Sequence, residues 1–547
     1  MAARLLPVSK LQTVFALVLG VFLSSGCGGG GSLRLPETSP FYWTSLPEYD
    51  AALRHYLTPP DPAGLALIQQ EGPKDEVVRL VNEGLFLHRL GQYEASNAAL
   101  QRAEALATDR YTKSITQNLA AFVVSDNVLD YYPSALERSM INLYGMLNYL
   151  ALGEPESASV EARKANALLR RYGNDNPGRS FVNDAAVQYL AGMLQWGERE
   201  ENDAVVSLRQ SLAGYQDYET RYGVPTPQAV SLDATRIARD LGLDDVAEAI
   251  QIRHFGSGAV VGDAAREADR GDLLLVIENG FIAHKKQQKL YVPVLKSERD
   301  AVLSGNAQSA VGAAFMVLIR TVQVMTSLSE EGKNYLRAHE DGVLVASAAL
   351  SAVGMELMTV AWPTYELDAK RATGIQIRAG DGPSVAPELL EDLSAIAVRD
   401  FEERKTSLML RMFARSLLKE ASVAATEARA EQAGGAVAGL LGRVAARTAA
   451  NATERADTRS WSSLPAEILL ARFRLPVGPN EIQVTFQGPN GPETSLLNVD
   501  IEPGAVTMRN VAVWGRDQGD QARFIRSQRG VDYIVSRRSS APSRLPQ

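Results

Sequence analysis

The chain has 547 residues, 46% of them hydrophobic, a formal net charge of −8 and a single cysteine. Residues 1–26 carry only Arg4 and Lys10 as charged groups, so removing them takes the charge to about −10, an acidic balance that argues against nucleic acid as a partner. One cysteine excludes a disulfide framework and thiolate metal sites. Burial must therefore supply the stability, and the length accommodates roughly two to four domains.

The apolar run from Val14 to Leu23 follows a basic start and precedes small residues, the order of a secretory signal peptide over 1–26, and it is short for a membrane span. Cys27, at the expected cleavage point, resembles the lipobox of bacterial lipoproteins. Ser25 and Gly26 fit that box, whereas Leu23 stands one step earlier than the usual leucine. The resemblance implies a diacylglycerol on the thiol and acylation of the new amino terminus. One acyl chain alone binds a membrane only reversibly, so the added chains make attachment durable. Gly28 occupies the place where an enterobacterial inner-membrane retention signal would have Asp, which favours delivery to the outer membrane. Ordinary cleavage, leaving a soluble periplasmic protein with a free thiol, is the alternative.

Gly28–Ser32 reads as a flexible tether. Residues 33–62, with Pro36, Pro40, Phe41, Tyr42, Trp43, Pro47, Pro59, Pro60 and Pro62, suit an irregular arm, so 27–74 forms anchor, tether and arm. From Asp75 to Ile252 apolar residues recur at three- and four-residue spacing, which predicts a helical domain over 75–252. Within it, Leu80, Gly84, Leu87, Gly91, Tyr93, Ser96, Leu100 and Ala103 fall as in one tetratricopeptide (TPR) hairpin, where small residues let two antiparallel helices touch. A second copy runs through Asn142, Tyr149, Gly153, Ala158, Ala162 and Ala165, and a weaker third through Gly192, Ala204 and Leu208. The spacing is not the regular 34-residue period. An ordinary helical domain with alanine-rich contacts is the other reading. Both predict stacked helix pairs with a concave surface suited to peptides or proteins.

Residues 253–460 read as a mixed strand and helix region. Gly256–Gly262 lacks the strand-to-helix context of a dinucleotide loop and reads as a linker. Leu273–Ile277 is a β-like run ending in a turn at Gly280, Gln288–Val294 supplies a second strand, and Ala283–Gln288 between them is a polar, basic connection. Of the apolar stretches Ala310–Ile319 and Val343–Trp362, the second nearly reaches membrane-spanning length. Its small residues and Glu356, which costs about 2.5–3.5 kcal/mol near mid-membrane, favour a buried helix. Residues 388–432 predict one or two amphipathic helices with Met409, Phe413 and Leu417 on one stripe. Gly434–Ala450 is small and apolar, suited to close packing or a hinge. Strand-like runs at Ile468–Leu475, Asn480–Phe486, Leu497–Ile501 and Ala505–Trp514 make a compact β module over 461–515, and 516–547 reads as a disordered basic tail. The expected class is α+β multidomain: an N-terminal all-α TPR-like helical-hairpin domain, a mixed α/β region and a small C-terminal β-sandwich-like module.

Glu137–Gly153, Ser159–Asn166, Glu278–Gly280 and Glu454–Pro465 together resemble an uncharacterised family of bacterial TPR-like outer-membrane lipoproteins, over most of residues 75–515. The resemblance implies architecture and address, with no accepted enzymatic role. The motifs of zinc proteases, serine hydrolases and phosphate loops are missing, and the five histidines are scattered singly, each expected at the surface or at a cap. No cofactor or metal is expected. Tyr149, Glu161, Arg163 and Asn166 are candidate partner-binding residues, with Glu161 and Arg163 on either a solvated helix face or the groove lining. Glu454, Asp457, Arg459 and Trp461 form a polar junction that either recognises a ligand carboxylate through Arg459 or pairs and caps locally while Trp461 plugs the β module.

The expected function is an outer-membrane-anchored, periplasm-facing scaffold or adaptor that binds an unknown periplasmic protein. An envelope enzyme, or an activator of a peptidoglycan enzyme, is the alternative, resting on Glu278–Gly280 and Asp457–Trp461. A membrane-inserted assembly component, resting on Val343–Trp362, is a further one.

Overall fold

The structure is a computed structural model. It describes residues 60–71, 75–114, 131–175, 183–256, 269–303, 355–367, 372–406, 456–488, 491–513, 520–526 and 531–538, with isolated positions at 53, 57 and 181 and scattered ones within 309–319 and 408–435. Cys27, Glu454 and most of the arm and of the Gly434–Ala450 stretch lie outside the described residues. The architecture is mixed α+β, with helices in the N-terminal half and strands towards the C-terminus.

After a short helix α1 (Ala63–Glu71), eight helices pair as consecutive hairpins: α2 (Glu76–Arg89) with α3 (Tyr93–Ser114), α4 (Ala135–Leu152) with α5 (Pro155–Asp175), α6 (Ala185–Gly197) with α7 (Glu201–Tyr222), and α8 (Gln228–Asp240) with α9 (Asp244–Phe255). The first three close in the same way. A Cβ added to Gly84 would lie 2.6 Å from the Leu100 side chain, one on Gly145 3.2 Å from Glu161, and one on Gly192 2.8 Å from Leu208. Each partner stands sixteen residues after its glycine, so the register of the two helices repeats although the distance between hairpins does not. Between the helices, Gly91 and Gly153 take positive φ, which costs glycine little; Arg199 takes the equivalent place at φ 66° against a steric cost of about 1–2 kcal/mol.

The first helix of each hairpin is buried almost all round: in α6 every residue from Ala185 to Trp196 is buried. The second helices are amphipathic, and α7 buries one stripe, from Ala204 through Leu208, Leu212 and Tyr215 to Tyr218. What covers the first helices is a six-stranded sheet made of β1 (Arg270–Asn279), β5 (Glu388–Glu391), β6 (Glu467–Pro476), β9 (Val506–Val513), β10 (Asp520–Arg526) and β11 (Val531–Arg538), in the spatial order β10-β11-β9-β1-β6-β5. At its centre β1 pairs antiparallel with β6 and parallel with β9. Period-two alternation splits the apolar side chains of β1 between two cores. Leu274 and Val276 join Ile468, Leu470 and Trp461 against the helices. Leu273, Leu275 and Ile277 face a second sheet of β4 (Thr373–Ala379), β7 (Gly478–Gly488) and β8 (Gly491–Ile501), through Ile377, Ile482, Val484, Phe486, Leu497 and Val499. The described core is thus three layers: helices, six-stranded sheet, three-stranded sheet.

A long ribbon of β2 (His284–Leu295) and β3 (Met355–Glu366) stands apart from these sheets. It shares a core with Val317, Phe401, Met412, Phe413 and Leu417, and Met409 packs at the margin, as the amphipathic stripe predicts.

Several expectations change. Val343–Trp362 is not one buried helix: Met355–Trp362 belongs to β3, and the rest of that stretch lies outside the described residues. An unbroken apolar run has no periodicity with which to choose helix or strand, and the β2 partner decides. The polar run Ala283–Gln288 is no connection, because β2 begins at His284. Glu388–Glu391 opens as strand β5, with the helix starting at residue 393. The C-terminal β module is not self-contained, because its strands β6 and β9 flank β1 and its strand β7 pairs with β4, both from the preceding region. Residues 520–526 and 531–538, expected within a disordered tail, form β10 and β11, the latter parallel to β9. Backbone pairing at a sheet edge does not need the apolar composition whose scarcity suggested disorder.

Candidate functional site

Two buried polar constellations lie where the helices meet the strands. The first is built on residues 456–465. The Asp457 carboxylate accepts from Arg459 Nε (2.9 Å) and Nη2 (2.8 Å) in bidentate geometry, and Arg459 Nη1 also donates to Asp75 Oδ2 (3.3 Å). Asp75 is the N-cap of α2, accepting from the Val77 backbone N–H, and it further accepts from Arg110 Nη1 (2.9 Å) and the Tyr131 N–H (2.7 Å). One carboxylate therefore joins α2, α3, the Tyr131 segment and residues 456–465. Glu137 behaves similarly. Within a capping box with Ser134 it accepts from the Tyr131 hydroxyl (2.6 Å) and the Trp461 backbone N–H (2.8 Å). Lys285 of β2 donates from Nζ to the Arg459 carbonyl (3.1 Å).

Trp461 is buried. Its indole N–H donates to Ser463 Oγ (3.0 Å) and its ring lies 6.0 Å from that of Tyr144 on α4. It plugs the helical core rather than the β module, because the 456–465 segment runs along the helices before β6 begins.

The second constellation centres on Glu278. Period two aims this β1 residue at the helices, where it accepts from Arg89 Nη2 of α2 (2.9 Å) and Asn510 Nδ2 of β9 (2.7 Å). His88, expected at a surface or cap, is fully buried beside them. Its Nδ1 lies 2.6 Å from Asn148 Oδ1 and its Nε2 3.3 Å from Asn510 Nδ2, so the neutral tautomer with the proton on Nδ1 satisfies both contacts. Asn148 passes the chain on to Ser96 (2.9 Å), whose hydroxyl donates to the Gly84 carbonyl at the first hairpin crossing (2.6 Å).

Burial depresses the His88 pKa and so keeps the ring neutral. For Glu278 burial favours the protonated form, yet Arg89, His88 and the Asn510 hydrogen bond together outweigh it and hold the carboxyl below its ordinary value. Asp457 follows the same logic, with Arg459 overriding burial. Burial also lowers the Lys285 pKa, and Asp457 and Glu137 oppose that only in part. Glu278 and Asp457 are thus ionised and matched by arginines, with a neutral His88 beside the first. The arrangement suits them to clamping elements together more than to proton transfer to a substrate.

Glu278 and Asp457, the carboxylates of the two segments behind the enzyme alternative, belong to separate constellations, each engaged by its own arginine. Among the described residues no three His, Cys, Asp or Glu side chains converge as metal ligands.

The four candidate partner-binding residues are each engaged by a neighbouring side chain. Tyr149 accepts from Gln101 Nε2 of α3 (2.9 Å), and Asn166 reaches Ser207 of α7 (3.4 Å). Glu161 is buried against Gly145 and accepts from Lys164 (2.8 Å). Arg163 is exposed and pairs with Glu200 at 3.1 Å. Three of the four contacts link one hairpin to the next.

Sequence reasoning missed Asp75, Arg89, His88, Lys285 and Asn510. Glu137 alone carried a legible signal, the Ser-x-x-Glu spacing of a capping box. Arg89 and His88 sit in the last turn of an amphipathic pattern, where a solvated face is the ordinary expectation.

No family model matches the chain, and neither does any curated protein. Among solved structures, a crystal structure of BtubC (BKLC) from P. vanneervenii is similar over 39% of this chain and 76% of that one, at 16% identity. Its TM-score of 0.23 is too low to carry an argument about fold or function.

Proposed function

We propose that the protein is an outer-membrane lipoprotein, anchored through Cys27, whose TPR-like hairpins act as a scaffold for a periplasmic protein. The observation that carries this reading is the repeated crossing of glycine against the residue sixteen positions on, at Gly84, Gly145 and Gly192, which is how small residues let the two helices of a TPR-like hairpin touch. The inner face of the hairpins is covered by the chain's own sheet, so the partner surface lies on the outer helices. Arg163 on α5 faces Asp203 on α7, with Arg163 Nη1 3.9 Å from Asp203 Oδ2. Val160 and Val206, each three positions from that ion pair on its own helix, are 43% and 49% exposed.

A photo-crosslinking residue placed at Val160 or Val206 in intact cells should trap one defined protein, and one placed at Leu496 on the outer sheet should not. Identical adduct patterns at all three sites sink the scaffold reading. Anchoring is tested separately: Cys27→Ala should abolish acyl labelling and move the protein from the membrane to the soluble fraction of the envelope. Retention at the membrane would count against the lipid anchor. Among the described residues no helix is long and apolar enough to cross a membrane.

A further inference from the structure

Glu391 fastens β5 to the helices without a cation. The residue is 0% exposed, its Oε1 lies 3.0 Å from the Tyr218 hydroxyl of α7, and its Oε2 is buried with no hydrogen bond. The same hydroxyl accepts from the Ala185 backbone N–H at the start of α6 (3.3 Å) and lies 3.5 Å from the Asn183 carbonyl. A phenol carries one proton and gives it to one acceptor. With Glu391 ionised, either its carboxylate or the Asn183 carbonyl would face the Tyr218 oxygen with no proton between them, and Oε2 would carry buried charge without a donor. A protonated Glu391 removes the conflict. Its Oε1–H donates to Tyr218, Tyr218 donates to Asn183, and Oε2 is left as a neutral carbonyl.

The charges on the surrounding elements are consistent with this count. Asp184, between Asn183 and Ala185, is fully buried and adds negative charge beside the hydroxyl. Within and after β5, Glu388 accepts from the Gln228 and Ala229 N–H groups of α8, and Asp392 from the Ala395 N–H. The Tyr215 hydroxyl of α7 donates to the Leu390 carbonyl, and the Tyr222 ring packs edge-on to Tyr218. The cations have other partners: Arg138 of α4 bonds Tyr132 and Thr108, Arg221 of α7 pairs with Asp217, Arg236 of α8 and Arg472 of β6 with Asp233. In the helix after β5, Arg399, Arg404 and Lys405 pair with Glu403, Asp400 and Glu402. Among the described residues none of these cations pairs with Glu391.

We propose that Glu391 is a proton-operated latch: as the neutral acid it ties β5 to α6 and α7, and loss of its proton releases β5 from the helices. Burial first, and the Asp184 charge next, push this carboxyl well above its ordinary value. The latch therefore holds fully at low pH and is lost as pH rises through the folded value. β5 is a four-residue strand at the sheet edge, paired only with β6, so it can open locally without unfolding the core. The latch is independent of the scaffold reading.

The test follows hydrogen exchange at the Leu389–Glu391 amides of the purified full chain as pH is raised, corrected for the intrinsic rise of exchange with pH. Opening of β5 should increase by about tenfold per pH unit between the ordinary carboxyl range and the folded value, then level off. Glu391→Gln supplies a neutral side chain that can still donate to Tyr218, and should abolish the increase. Its infrared difference spectrum against the unaltered chain should show a protonated-carboxyl band that only the unaltered chain carries. Asp184→Asn removes the neighbouring charge and should make the increase level off at a lower pH, which keeps the test open where Glu391→Gln fails to fold. Absence of that band, the same pH dependence in Glu391→Gln, or an unshifted plateau in Asp184→Asn overturns the inference.

Discussion

The two faces of the six-stranded sheet are held by different physics. Towards β4, β7 and β8 the contact is dry and apolar, with Leu273, Leu275 and Ile277 meeting Ile377, Ile482, Val484 and Phe486. Towards the helices the apolar cluster is interrupted by fixed polar links: Glu278 to Arg89, Arg472 to Asp233, the Tyr215 hydroxyl to the Leu390 carbonyl, and Tyr218 to Glu391. Apolar burial supplies attraction without direction, whereas a buried ion pair adds little net stability but is costly to break, so it fixes which groups meet. The sheet-to-sheet face therefore holds by area, and the helix-to-sheet face by register.

Four measurements bear on this contrast, in falling order of effect. Arg89→Leu leaves Glu278 buried without its cation and should cost about 3–5 kcal/mol in denaturant unfolding. Removing both charges, in Arg89→Leu with Glu278→Leu, should recover most of that loss. A double variant no more stable than the single one would show that the pair contributes attraction instead of register.

On the opposite face, Leu275→Ala should cost about 3 kcal/mol through lost burial and the cavity left behind. Partial rescue by a larger side chain at a facing position, such as Val484→Leu, would confirm that area is what counts there.

The third measurement concerns pH. Asp184 caps α6, accepting from Val187 N–H and Ser139 Oγ, yet burial raises its pKa from 3.8 to about 6. Burial and the nearby Asp184 charge raise Glu391 of β5 well above its ordinary value. A carboxyl whose folded pKa is raised holds more protons folded than unfolded, so its stabilising contribution is full at low pH. It is lost as pH rises through the folded pKa. Stability contributed by this pair should therefore fall from about pH 4 to beyond pH 6, opposite in sign to that of Glu278 and Asp457. Asp184→Asn keeps a capping side chain and should gain about 2 kcal/mol at pH 8 while flattening the slope. An unchanged slope would remove Asp184 from the account.

The smallest effect is a control that touches neither face. Arg199→Gly relieves the positive φ between α6 and α7 and should stabilise by about 1 kcal/mol, read as a raised unfolding midpoint at unchanged denaturant sensitivity.

Much of the local structure was legible. The helical span from Asp75 to Ile252, the β-like run at Leu273–Ile277 and its turn at Gly280, and the stripe of Met409, Phe413 and Leu417 all follow from spacing that a window of a few residues reveals. The fourth hairpin, α8 with α9, was legible as helix but not as a pair, because its contact lacks the glycine that marks the other three. The candidate junction was legible in half. Asp457, Arg459 and Trp461 stood out as a dense polar group, and the structure joins them to helices more than 300 positions away, as with Arg459 to Asp75 and Trp461 to Glu137.

By itself, then, the sequence determined the helical span, the first and third hairpin crossings and the strand character of β1. These are set by neighbours close along the chain, where backbone sterics and side-chain period act directly. Only the tertiary structure decided that β1 sits between β6 and β9, that the sheet covers the inner face of the hairpins, and that Glu278 finds Arg89 across 189 positions. The entropy of closing so long a loop changes slowly with its length. Many distant pairings therefore stand nearly equal along the chain, and the packed core selects among them.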